Sequence, residues 1–291
     1  MVFGVKNTTI LWDFSVFDVL CPENCRGCGE KGELVCGRCK KYIFEHYENH
    51  CPVCKKKISG GVCSECKKGA KRRKGGVFLE EGDVEKGKEA YRVFKGIYSV
   101  GYRDEFIGEL VEEYKYYSVR GLARGLGEIL EKTAIRELKN DFFWDYKGKY
   151  KKQGSLKGRV LMVPLPTARK HIRERGFDHT ELILKKVREG ERKRLLVRAK
   201  DTTQVGASEA VRLKQAKEAY NLNPKFLGEN GRFKEEVLKR SVVLFDDVWT
   251  TGASMIEAAK NLRNAGVTEI YGVVLAVNRK GRKPILRRGE V

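Results

Sequence analysis

The sequence predicts an α/β fold, a mainly parallel sheet covered by helices, preceded by a small cysteine-rich module that needs metal to hold it. Three observations carry that prediction. Short apolar runs alternate with helix-spaced segments after about residue 91, all nine cysteines fall between Cys21 and Cys66, and Pro or Gly punctuates the ends of the apolar runs. The chain of 291 residues is long enough for one small and one larger unit.

Taken in order, residues 1–20 form an apolar lead-in interrupted by Asp13 and Asp18, without a secretory cleavage pattern. Residues 21–70 lack the apolar runs of a conventional core and read as a double zinc-ribbon module. Residues 71–90, basic and Gly-containing at their start, are expected to be a linker, and 91–291 the α/β domain. Within that domain Ile107, Leu110, Val111 and Tyr114, then Leu122, Leu126, Ile129 and Leu130, are spaced for two amphipathic helices. Val160–Val163 is a buried strand ended by Pro164 and Pro166, with a helix expected at 180–188 and a second strand at 195–197. A polar helix at 208–220, an apolar strand at 242–245, a helix at 254–264 stopped by Gly266, and a last strand at 270–277 complete the pattern.

Lys and Arg number 60 against 39 Asp and Glu, a formal charge of +21, which favours polyanionic ligands such as nucleic acid or polyphosphates. Ion-pair networks are the alternative use of so many charges. No apolar run approaches the roughly 20 residues of a membrane helix, and a cytoplasmic location is expected.

Cys25/Cys28, Cys36/Cys39, Cys51/Cys54 and Cys63/Cys66 are each Cys-x-x-Cys, the spacing that aims two thiolates at one tetrahedral ion. Eight ligands imply two structural zinc ions. Sequential pairing of the turns is preferred over a nested arrangement, and a disulfide framework is the other reading. Cys21 is left over, and Lys40, Lys41, Lys55, Lys56, Lys57 and Lys71–Lys74 offer a basic surface for nucleic acid.

The stretch 242–254, VVLFDDVWTTGAS, joins an apolar strand to a small-residue turn that opens a helix. Thr250, Thr251, Gly252, Ala253 and Ser254 supply a phosphate cradle of backbone N–H groups and hydroxyls. Asp246 and Asp247, at the strand end, can accept from ribose hydroxyls or help hold a metal. A second constellation, 163–181, carries Arg169, Lys170, Arg173 and Arg175, which suit the oxygens of a pyrophosphate. His171 and His179 are general-base candidates by position, and an exposed surface role is the alternative for each.

The first stretch resembles the phosphoribosyl pyrophosphate (PRPP) loop of type I phosphoribosyltransferases. With the cysteine pairs, Pro164–Pro166, Arg175, Gly176 and Phe177, and with Lys115, Arg198, Thr202, Gln204, Ser208 and Arg212, the chain resembles the competence protein F family over nearly all its length. That resemblance implies a phosphoribosyltransferase-like domain that binds PRPP with Mg²⁺. It also implies a pyrophosphate-side loop at 164–170, a lid carrying Thr202, Gln204, Ser208 and Arg212, and a link to DNA uptake or nucleotide salvage. Asp178 and His179 stand where the family usually has Asn-Gln, and Gln215 where Asn is common. The reading from another class is a non-catalytic, zinc-bearing accessory protein for single-stranded DNA.

Overall fold

The computed structural model describes residues 23–68, 81–143, 155–199 and 219–278. The lead-in, Cys21, Lys71–Lys74, the segment expected as a helix up to residue 218, and the lid residues Thr202, Gln204, Ser208 and Arg212 lie outside them.

Five strands form one parallel sheet. They are β3 (Gly96–Tyr102), β4 (Val160–Pro164), β5 (Glu191–Arg192), β8 (Ser241–Trp249) and β9 (Ile270–Val277), in the order β3-β9-β8-β4-β5. The central runs, β4, β9 and residues 242–245 of β8, are apolar because both faces are covered, whereas the edge strand β5 is polar. Val243, Phe245 and Val273 point into one core with helices α4 (Phe106–Tyr116) and α5 (Leu122–Leu130), while Val242, Leu244 and Val274 point into another with α3 (Glu81–Val93) and α10 (Ala253–Asn264). A single π turn, Glu131–Ile135, carries α5 into α6 (Arg136–Phe143). After β4 the chain moves outward to β5, and after β8 it moves the other way to β9. The crevice at the carboxyl ends of β4 and β8 is therefore the switch point where open α/β sheets bind ligands.

The eight described cysteines are free of disulfides and gather as Cys25, Cys28, Cys36, Cys39 and as Cys51, Cys54, Cys63, Cys66, with the four sulfurs of each group within 4.8 Å of one another. This is the sequential pairing. Each group pairs one tight knuckle with a helix start, not with the second hairpin knuckle that a zinc ribbon implies. The first uses the short ribbon β1 (Glu23–Asn24) and β2 (Lys31–Gly32), then α1 (Gly37–Glu45), while the second uses α2 (Ser64–Lys68). The two knuckles repeat one geometry. Gly29 N–H donates to the Cys25 carbonyl as Lys55 N–H does to that of Cys51, both at 2.9 Å, and both residues have positive φ, +77° and +62°.

Neither cysteine group stands apart from the sheet domain. Cys25, Cys36 and Cys39 belong to the core with Phe106 and Leu122, and a Cβ on Gly27 would lie 2.6 Å from the Phe106 ring. The second group belongs to the opposite core and also caps the free edge of β3. Ile97 N–H donates to the Gly61 carbonyl at 2.7 Å, and Ser99 N–H to Asn49 Oδ1 at 3.0 Å. An edge that would otherwise invite strand pairing is thereby closed.

Part of the expected linker is helical, because α3 begins at Glu81. Gly87 within it is buried where a Cβ would sit 3.2 Å from Cys66 Cβ. The strand expected at 195–197 is β6 (Leu196–Arg198), which pairs antiparallel with β7 (Tyr220–Leu222) in a separate ribbon and does not join the main sheet.

Candidate functional site

The switch-point crevice opens into a cleft of about 500 Å³ lined by residues that include Lys115, Tyr116, Thr167, Arg175, His179, Arg198, Tyr220, Asp246, Asp247 and Thr250. One wall is the end of β8. Its alternation puts Phe245 into the core, leaves Asp246 partly open to the cleft, and buries Asp247 to 2% exposure.

A buried carboxylate persists only when it is paired. Asp247 Oδ2 lies 2.7 Å from Lys115 Nζ, delivered by the last turn of α4, and 2.8 Å from His179 Nε2, delivered by α8 (His179–Leu184). Burial alone would raise the Asp247 carboxyl, but the Lys115 charge and then His179 outweigh it and hold it far below the usual carboxylate range. Burial would likewise lower the Lys115 ammonium, and Asp247 and Asp246 hold it up instead. Asp246 goes the other way. Desolvation and the adjacent Asp247 charge raise its carboxyl to about 8. The two acids, identical in sequence, are thus split into a locked anion and a proton-exchanging group.

His179 is a buried residue, 7% exposed, and not a surface one. Its Nδ1 is 3.0 Å from Thr167 Oγ1 and 3.2 Å from Arg175 Nη1. The Tyr114 hydroxyl donates to the His179 carbonyl at 2.9 Å, and the Tyr114 ring packs on Phe177 at 5.2 Å. Asp178 caps α8, accepting from Glu181 N–H at 3.3 Å and from the hydroxyls of Thr167 and Thr180 at 3.0 Å each. Asp178 and His179 therefore have two local purposes, a helix cap and a partner for Asp247.

The other predicted cations divide. Helix α7 (Arg169–Arg175) ends at Gly176, left-handed at φ +77°, and turns Arg175 into the cleft. Arg169, Lys170 and Arg173 occupy its exposed side and do not line the cleft, and Lys170 Nζ is 3.9 Å from Glu174. His171 lies at the rim, 2.9 Å from Glu174. On the far wall the Arg198 guanidinium sits 5.0 Å from the Tyr220 ring.

Thr250, Thr251 and Gly252 make the turn between β8 and α10, whose first residues are Ala253 and Ser254. Gly252 has φ +78°, and a Cβ there would lie 2.1 Å from a Trp249 ring carbon, so the turn admits glycine alone. Of these residues Thr250 lines the cleft, and Thr251, Gly252, Ala253 and Ser254 follow it into the start of a helix of 12 residues without lining it. Reasoning from sequence missed Tyr116 and Tyr220 as cleft residues, while Thr167 lies in the loop at 164–170 that the resemblance implied for the ligand.

The two cysteine groups have the donor set and closeness of closed structural zinc sites and could each hold one zinc ion. A third group, His179, Asp246 and Asp247, also brings ligand atoms within 4.8 Å of one another. Asp247 there is already committed to Lys115, so Asp246 is the carboxylate open to a cation. Among the described residues no helix is long and apolar enough to cross a membrane. No family model matches the chain, and no curated protein matches it.

Proposed function

We propose that the cleft binds PRPP or a closely related ribose phosphate with Mg²⁺, as a phosphoribosyltransferase-like protein of the competence protein F kind, linked to DNA uptake or nucleotide salvage. One juxtaposition supports this reading above the rest. At the sheet's switch point an acid pair, Asp246 and Asp247, runs directly into a glycine turn and helix start, with Arg175 and Lys115 facing it.

Each part meets one piece of such a ligand. The turn at Thr250–Ser254 takes the 5-phosphate on backbone N–H groups. Asp246 accepts from the ribose hydroxyls, while Asp247, held by Lys115 and His179, keeps the strand end in place. Arg175 lies toward the pyrophosphate and stabilises the negative charge that grows if it leaves. Magnesium, when bound with the ligand, neutralises pyrophosphate oxygens. Arg169, Lys170 and Arg173 sit on the outer side of α7 and serve the approach of an anion.

Calorimetric titration of the zinc-loaded protein with PRPP and Mg²⁺, beside ribose 5-phosphate and pyrophosphate alone, tests the reading. Saturable PRPP binding that is lost in the Asp246→Asn/Asp247→Asn double variant is the expected result. Absence of PRPP binding sinks it. Pyrophosphate release in the presence of an acceptor would add catalysis to binding.

A further inference from the structure

A second concavity, of about 480 Å³, lies against the edge strand β5 and shares no lining residue with the switch-point crevice. Five cations and two acids line it. Arg192 closes β5, Arg194 follows two residues later, and Lys225 and Lys234 come from the chain beyond β7. Solvated lysines and arginines on a surface keep apart, because like charges repel and water separates them. Here they converge on one hollow.

The device that gathers them is Glu181, on α8, whose side chain is 7% exposed. Its Oε1 lies 2.9 Å from Arg192 Nε and its Oε2 lies 3.1 Å from Arg194 Nε. In each pair Nε is the nearest nitrogen, so the terminal Nη donors of both guanidiniums lie further from the carboxylate. Burying Glu181 costs desolvation, which the two arginines offset, and the result is a pair of guanidiniums fixed side by side while still open to solvent. Across the hollow Lys234 Nζ donates to the Lys225 carbonyl at 3.1 Å, which ties the two lysines together. Neither lysine forms an ion pair among the described residues, whereas Lys193 is taken by Glu191 at 2.8 Å.

We propose that this concavity is a second anion site, and that its ligand carries two or more linked phosphoryl groups, a diphosphate or a triphosphate. Paired guanidiniums match the parallel oxygens of such a group, and the two lysines supply the balance of the charge. Nucleic acid presents its phosphates one by one along a strand and is met by cations laid out along a track, not gathered on one hollow. The assignment stands apart from the ribose-phosphate reading, since it uses none of the residues of the crevice.

Calorimetric titration of the zinc-loaded, full-length protein with inorganic tripolyphosphate, without Mg²⁺ and in about 0.15 M salt, tests the site. Saturable binding is expected, with orthophosphate weaker by on the order of tenfold for the charge-assisted hydrogen bonds it cannot make. Lys225→Gln/Lys234→Gln, at two exposed positions whose loss strands no buried charge, should weaken tripolyphosphate binding by a similar factor, and Arg175→Gln in the crevice should leave it unchanged. Glu181→Gln removes a negative charge from the hollow, yet it should weaken binding because the arginines lose their anchor. Tighter binding in Glu181→Gln would show bulk charge at work and overturn the built site. So would tripolyphosphate binding that falls in Arg175→Gln and not in the lysine variant, or no saturable binding at all. Poly(dT) that binds through the two lysines where tripolyphosphate does not would make the hollow a nucleic-acid track and overturn the proposal as well.

Discussion

Lys115→Met removes the cation nearest a carboxylate whose side chain is only 3% exposed. At 2.7 Å the pair attracts by about 6 kcal/mol for an effective dielectric constant of about 20. Desolvation offsets much of that attraction in the wild type, but the offset persists when the lysine goes, because Asp247 stays buried. His179, 2.8 Å away, takes over part of the compensation. The variant should therefore lose about 3 kcal/mol, the low end for breaking a buried pair. Urea unfolding of the zinc-saturated protein, followed by circular dichroism, measures the loss. Adding Asp247→Asn removes the stranded charge, so the double variant should recover about 2 kcal/mol of it. A Lys115→Met protein within about 0.5 kcal/mol of wild type, or strictly additive single effects, would refute the view that Lys115 holds Asp247.

Cys51→Ser should reduce bound zinc, measured by elemental analysis, from two ions per chain to one, and should destabilise the sheet as well, since Cys51 is fully buried in the core beneath β3. Lys55→Gly should raise stability by about 0.5 kcal/mol, because a non-glycine residue at φ +62° costs about 1–2 kcal/mol and glycine's greater unfolded-state entropy returns part of that; a loss on urea titration would contradict the strain. Asp246→Asn should raise stability by an amount that grows with pH. The folded carboxyl, raised to about 8, binds a proton more strongly than the unfolded one, so wild-type stability falls as pH rises from the ordinary carboxylate range toward 8, and the amide removes that fall. Parallel pH profiles for the two proteins would speak against it.

The elements that drive the fold were the legible ones. Strands β4 and β9 and residues 242–245 of β8 are continuous apolar runs because helices cover both faces, and β9 spans residues 270–277 as its pattern predicts, whereas β8 runs on through the acid pair to Trp249. The cysteine spacing set the two groups. What stayed hidden depends on contacts distant in sequence. Strand β3, with Gly96 and Gly101, lacks a strong strand pattern and is held by β9 on one side and the second cysteine group on the other. Helix α3 is poor in apolar residues and is recruited by packing on α2 and α10. At the site, the acid pair and glycine turn were visible as a string. The burial of His179, the engagement of Asp247 by Lys115, and the separation of Arg175 from Arg169, Lys170 and Arg173 follow from how three helices meet the sheet edge, which no local pattern encodes.

The most direct measurement is a crystal structure of the zinc-loaded protein with PRPP and Mg²⁺. The 5-phosphate is expected on the Thr250–Ser254 turn, the ribose hydroxyls at Asp246, and the pyrophosphate toward Arg175. Ligand seated instead in the separate basic cleft of Arg192, Arg194, Lys225 and Lys234, with the Asp246–Asp247 crevice empty, would contradict it.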